Sequence, residues 1–311
     1  MEALRSAKLI YVTGKGGVGR STVSAALGLA AAGLGRRTIV CEVAEQDRLS
    51  RAFGRRPRAQ DEEAELADGL WGVSVDPQRA LREWLGAQLG SRTLSRLLFE
   101  SNAFSYFAAA APGAREIATL VKIWDLARAD RWQKGAAGYD LVIVDGPASG
   151  HGLGMLRTPR TFSEIARMGP IHKQTERVRE MLSDPAHTAY VAVALAEEMP
   201  VNETLELERA LPSIVGSGLA RIVVNGLYPR RFDDAELARA NAAARDGGGN
   251  GAVRRAVAAA QAEAHWARGQ REQLERLEAS ARAPVTTLPF LFARELRGAE
   301  LEKLAEQLAG A

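Results

Sequence analysis

The chain has one cysteine, Cys41, in 311 residues. That excludes internal disulfides and any multi-cysteine metal site built from a single chain. Lysine is scarce too: only Lys8, Lys15, Lys122, Lys134, Lys173 and Lys303 stand against an arginine-rich background. The formal net charge is only +3, and no dense Lys/Arg block alternates with aromatics. Scattered solvated charge accounts for this pattern, and nothing in it calls for nucleic acid. No apolar run reaches the roughly 18 to 20 residues that would cross a bilayer. The first residues, MEALRSAKLIYV, move directly into a strand-like segment and lack a signal-peptide pattern. These absences lead us to expect a cytoplasmic protein. The 46% hydrophobic and 25% charged content is that of an ordinary globular chain with enough length for a large core.

What is present is an alternation of short β-rich runs with helical stretches. Strands are predicted at Lys8–Thr13, Arg37–Cys41, Trp71–Val75, Tyr139–Asp145, Thr188–Leu195, Ala220–Asn225 and Val285–Leu288. Several are almost continuously apolar, as parallel strands covered on both faces are. The predicted fold is therefore α/β: a doubly wound, mostly parallel sheet built from βαβ crossovers. Residues 77–130 read as helical throughout. Residues 159–184 read as a second amphipathic helical segment with Phe162, Ile165, Met168 and Ile171 on its apolar side. A third helical segment covers 232–282 and is interrupted by a GGGNG run at 247–251, which reads as a surface turn. There is no internal repeat. We expect one domain over residues 1–311, with helical insertions at about 77–130 and 159–184.

The motif that organises this reading is GKGGVGRST, from Gly14 to Thr22. It follows an apolar strand and opens an alanine-rich helix, the context that a phosphate-binding loop requires. Gly14, Gly16, Gly17 and Gly19, with Lys15 and Val18 between them, let backbone N–H groups turn inward around phosphate oxygens. The helix start adds partial positive charge at the same point. Ser21 is placed to hold Mg2+, with Thr22 beside it. Arg20 occupies the position of the usual lysine. A forked, planar guanidinium still neutralises phosphate, but it does not fill the space of a compact ammonium. The loop implies ATP with Mg2+ and leaves efficient hydrolysis in question.

A second motif, YDLVIVDGPASGHGLGML at 139–156, ends its strand in Asp145, a carboxylate for the Mg2+ shell. The following Gly146 to His151 reads as a loop that senses the γ-phosphate. The phosphate loop, Glu42, Asp145 and Asn225 all fall at carboxyl ends of predicted strands, where such sheets bind ligands.

GKGGVG, with lysine at its second position, resembles the deviant Walker A of SIMIBI-class ATPases. VDGPASGHGLGML resembles the switch of the ArsA/Get branch. APGAREIATLVKIWDL at 111–126, IVVNGLYP at 222–229 and LPFLFARELRGAELEKL at 288–304 are similar to further segments of that family. The likeness runs from Lys8 to about Leu304 and is nearest to bacterial "anion-transporting ATPase" paralogues. It implies that Lys15 reaches across a dimer interface to the partner's phosphates, so that nucleotide binding and dimerisation are one event. It also implies that Asn225 reads adenine, with Pro289 and Phe290 near the base. Lys15, Arg20 and Asp145 become the catalytic set, and Ser21 and Asp145 the metal set. Expected partners are a second copy or an ArsA-like paralogue, and a protein client or membrane-associated partner.

The departures point elsewhere. Aligning on Leu49-Ser50-Arg51-Ala52-Phe53 puts Ala44 where the family has a water-orienting aspartate; Glu42, Glu45 and Asp47 are near. The zinc-clamping cysteine pair and the arsenite-binding cysteines are absent, so neither bound zinc nor an arsenite site is expected. Met155, Met168 and Met181 are too sparse for a client groove and read as core. His151 matches the family's switch histidine and reads as a signalling or packing residue. Two lesions, Arg20 and Ala44, make slow or absent hydrolysis a serious alternative: a pseudo-ATPase subunit that completes a catalytic paralogue. A ParA/Min-type positioning ATPase and a small-molecule kinase or ligase on the same fold are further alternatives. The acidic terminus LRGAELEKLAEQLAGA argues against the positioning reading.

Overall fold

The computed structural model describes residues 2–43, 47–56, 59, 61–89, 113–133, 135–165, 167–246 and 251–310. Eight strands form one sheet: β1 (Leu9–Gly14), β2 (Thr38–Glu42), β3 (Ala64–Ala67), β4 (Leu70–Ser74), β5 (Leu141–Asp145), β6 (Thr188–Ala194), β7 (Arg221–Leu227) and β8 (Val285–Pro289). Their order across the sheet is β3-β4-β2-β5-β1-β6-β7-β8. All pairings are parallel except β3 with β4. Strand β1 lies between β5 and β6, so the chain winds outward from it in both directions. The crevice beyond its carboxyl end is the switch point at which such sheets bind ligands.

The period-2 alternation of the strands sorts their side chains onto two faces. Ile10, Val12, Val40, Ile143 and Val191 pack with helix α2 (Arg20–Gly33) and the terminal helix. Leu9, Tyr11, Ile39, Cys41, Val142, Val144 and Tyr190 point the other way. Because both faces are covered, neither can be polar, which is why the runs read as continuously apolar.

After α1 (Ala3–Ser6) and α2 come α3 (Arg48–Ala52), α4 (Pro77–Leu89), α5 (Ala114–Leu126), α6 (Ser149–Ile165), α7 (Pro170–Ser183), α8 (Glu198–Val215), α9 (Asp234–Asp246), α10 (Gly251–Ser280) and α11 (Gly298–Gly310). Helix α5 buries Ile117, Leu120, Val121 and Ile123 against the second face, as Val178 and Met181 of α7 do. Ala192, Ile222 and Val224 continue that face under α8 and α10, where Leu205, Leu207 and Leu277 cover them. No helix among the described residues is long and apolar enough to cross a membrane.

All seven predicted strands are present, with ends shifted by up to two residues. The eighth, β3, carries the sequence AELA, too short and too weakly apolar to announce itself. The signal that marks it is Asp68-Gly69, a hairpin dipeptide directly before β4, with Gly69 at φ 71. The helical reading of 77–130 holds for α4 and α5 but fails at 127–130, which form a turn and a bend; 90–112 lie outside the described residues. The reading of 159–184 as a single amphipathic segment is corrected. Gly169, at φ 93, precedes Pro170 and separates α6 from α7. Ile165 and Met168, expected on the apolar side, are exposed, Met168 by 87%. Met155 and Met181 are buried as expected. The 232–282 reading divides into α9 and α10; 247–250 lie outside the described residues.

Candidate functional site

The phosphate loop leaves the buried strand β1 and enters α2 through Gly19, whose φ of 89 places it in the left-handed region. A side chain there is excluded twice. The backbone disfavours it, and its Cβ would lie 2.2 Å from Asn225 Nδ2. Gly14 is equally constrained: at φ 145, its Cβ would lie 2.2 Å from the Val193 carbonyl oxygen. Neighbouring strands β6 and β7 thus fix the loop at both ends. Val18, buried at its centre, anchors it to the core, and Asn225 Nδ2 donates to the Val18 carbonyl at 3.0 Å.

Ser21 Oγ donates to Asp145 Oδ2 at 2.6 Å. The carboxylate is buried at the end of β5, and burial raises its pKa against the lowering influence of the Ser21 hydrogen bond, Arg20 and Arg48. Two hard oxygen donors at the mouth of the phosphate loop are a donor set that fits Mg2+, which takes one or two protein ligands and completes its shell with phosphates and water.

Arg20, the first residue of α2, donates through Nη1 to the Gly146 carbonyl. Burial lowers its pKa and Asp145 opposes that shift; a guanidinium remains charged in either case. The residue that departs from the usual pattern therefore ties the phosphate loop to the connection after β5. That connection is shorter than expected. Only Gly146, Pro147 and Ala148 precede α6, so Ser149, Gly150 and His151 lie in a helix and not in a loop. His151 is exposed, with Nε2 3.7 Å from Glu116 of α5.

Two cavities flank the loop. One, of about 330 Å³, is lined by Gly17, Gly19, Arg20, Ser21, Thr22 and Arg48 among others. The second, of about 460 Å³, lies between the loop and the carboxyl ends of β7 and β8, with Asn225, Tyr228, Trp266, Gln270, Pro289 and Phe290 in its wall. Phe290 stacks on Tyr228 with centroids 4.5 Å apart and an interplanar angle of 14°, and Phe292 meets both edge-on. Gln270 accepts from the Tyr228 N–H at 2.8 Å and donates to the Gly226 carbonyl at 3.2 Å. The first cavity has the cations and hydroxyls that suit phosphates. The second has the flat aromatic walls and amides that suit a base. Arg48, Tyr228, Trp266 and Gln270 were not singled out in the sequence. Arg48 gave no motif, and α10 reads as a generic Ala/Arg/Glu helix.

Lys15 is not among the residues lining either cavity. Its Nζ lies 2.7 Å from Glu203 Oε1 on α8. The carboxylates considered as water-orienting groups have other partners. Glu42 Oε1 accepts from the N–H groups of Arg48 and Leu49 at 2.8 and 3.2 Å, and Asp47 Oδ1 from that of Ser50 at 3.4 Å. Both cap α3. Ala44 and Glu45 lie outside the described residues.

A family model described as anion-transporting ATPase matches residues 7–174 and 163–245, from β1 through the phosphate loop, Asp145 and Asn225. The chain belongs to the ArsA anion-transporting ATPase family. The ATPase BagA of Mycobacterium tuberculosis is 31% identical over 245 residues, spanning 76% of this chain and 70% of its own length. The ATPase GET3 of Kluyveromyces lactis is 26% identical over 261 residues, 73% of this chain and 74% of its own. That of Candida glabrata is 27% identical over the same shares. ATPases of this family bind ATP with Mg2+ in general, and membership supports ATPase activity for this chain.

Proposed function

We propose that this chain is a deviant Walker A ATPase whose ATP-bound form dimerises face to face and couples nucleotide state to a protein or membrane-associated client. On this reading residues 1–311 act as one cytoplasmic nucleotide domain with helical insertions. The observation that carries the proposal is the direction of Lys15. It stands on the phosphate loop yet faces α8, away from the cavity lined by Arg20, Ser21, Thr22 and Arg48. A lysine so placed is available to a second subunit's phosphates. Two such lysines beside two triphosphates would neutralise a buried anionic interface.

Within one subunit, backbone N–H groups of residues 14–19 and the start of α2 bind the phosphates. Ser21 and Asp145 hold Mg2+, which when bound neutralises charge developing on the phosphoryl oxygens. Arg20 binds phosphate with a guanidinium shared with Gly146. Asn225 and the Tyr228–Phe290 stack hold the base.

Sedimentation with a non-hydrolysable ATP analogue and Mg2+ tests this. Wild type should shift from monomer to dimer, and Lys15→Ala should bind the analogue but dimerise only at higher protein concentration. A wild type that binds the analogue without changing mass defeats the dimer reading. A second reading, a regulatory subunit completing a catalytic paralogue, is favoured by the Arg20–Gly146 hydrogen bond, which draws the P-loop cation toward the switch. On that reading turnover is absent alone, appears on mixing with the paralogue, and is raised by Arg20→Lys.

A further inference from the structure

We propose that Glu203 is a positioning residue for Lys15, a latch that holds the lysine inside its own subunit until nucleotide and a second subunit compete for it. This rests on the reading of Lys15 as a lysine that acts across an interface. Glu203 Oε1 lies 2.7 Å from Lys15 Nζ, and its other oxygen, Oε2, accepts from Ser149 Oγ at 3.3 Å. One carboxylate thus joins the phosphate loop to the first residue of the helix that follows Asp145.

The carboxylate is held on a rigid support. Pro200, Val201, Thr204, Leu205 and Leu207 of α8 are buried, so the helix is docked on the sheet. The lysine has a long, flexible four-carbon side chain, and the loop beside it is open: a Cβ built at Gly16 or Gly17 meets nothing within 4 Å. The two side chains are 27% and 33% exposed. An ion pair in that setting contributes little to stability and exchanges readily for a stronger anion. A triphosphate beside its Mg2+ is such an anion. When Lys15 leaves, Glu203 keeps only Ser149 of these two partners, so nucleotide capture is communicated to the start of α6.

The test measures dimerisation against concentration of a non-hydrolysable ATP analogue with Mg2+, using wild type, Glu203→Gln, Lys15→Gln and the double variant. Glu203→Gln should lower the concentration for half-maximal dimerisation by about two- to fivefold. The gain should vanish in the Lys15→Gln background and shrink in high salt, and Glu203→Asp should lie between Gln and wild type. Thermal melts and analogue binding of the monomer should be nearly unchanged, so that the gain in dimerisation is not a gain in stability or in nucleotide affinity. If wild type dimerises and Glu203→Gln dimerises no more readily, the latch is wrong and the trans lysine stands. If wild type binds the analogue and never dimerises, both fall. If the gain persists without Lys15, Glu203 acts through something else and the latch is wrong.

Discussion

Asp61 holds an unusual backbone conformation for a residue with a side chain, φ 59. Its carboxyl is buried between the end of β4 and the start of α4. Oδ1 accepts from the Asp76 N–H at 3.0 Å, and Oδ2 has Arg79 Nε at 3.9 Å. Burial pushes its pKa up to about 6. The Asp76 hydrogen bond and Lys122 oppose the shift, while the Glu83 and Asp76 charges add to it. The folded state therefore binds a proton more tightly than the unfolded chain, whose aspartate titrates near pH 3.9. The sign follows: stability from this group is fully present below about pH 4 and is lost as pH rises through about 6. Asn has the same shape, tolerates the left-handed region and carries no charge. Asp61→Asn should be more stable than wild type at pH 7 by up to about 2 kcal/mol. By pH 4 the difference should close. Urea melts of the two proteins across that range provide the check, and a gap of equal size at both pH values would refute the assignment.

At the scale of elements, the phosphate loop and its two cavities rest on a helix that contributes no polar group to them. Helix α11 lies against α2, whose first turn forms the phosphate loop's exit, and it buries Leu301, Leu304 and Leu308. Leu301 and Leu304 also wall the two cavities, whereas Leu308 is fully buried in the shared core and lines neither. Leu308→Ala should cost about 2–4 kcal/mol from lost transfer energy and the cavity left behind. Nucleotide affinity per folded molecule should stay near wild type, and chemical denaturation paired with titration separates the two quantities. The elements that the sequence made legible are those whose physics is local. The seven apolar strands, the glycine loop and the carboxylate ending β5 follow from periodicity and spacing alone. Strand β3 was hidden because an edge strand buries little and needs no apolar alternation. The exposure of Met168 was hidden because the helix ends at Ile165 and Met168 falls in the connection before Pro170. The aromatic and amide wall of the larger cavity was half legible. Asn225 and Pro289 lie on strands, and Phe290 directly after one, each within a motif, but Trp266 and Gln270 reach it from α10 only through tertiary folding. The capping role of Glu42 likewise depends on where α3 begins, which no local pattern announces.

At the scale of the molecule, a lysine that faces away from its own phosphate cavity has a consequence that no single subunit can display. In a two-fold symmetric dimer each site would combine Asp145 of one subunit with Lys15 of the other. Lys15→Ala alone and Asp145→Asn alone would then each spoil both sites of their homodimers. In a mixed dimer the lesions segregate. One site keeps an intact Asp145 and receives an intact Lys15, while the other loses both. At a protein concentration where both variants dimerise, random pairing of equal amounts makes about half of the dimers mixed, each with one working site of two. The mixture should therefore regain about a quarter of wild-type single-turnover hydrolysis, although each component is inactive. If Lys15 acted on its own subunit's phosphates, both sites of the mixed dimer would carry one lesion and mixing would restore nothing. The measurement thus separates a lysine that serves its neighbour from one that serves itself. It does so at any absolute rate, including the slow turnover expected with Arg20 in the loop.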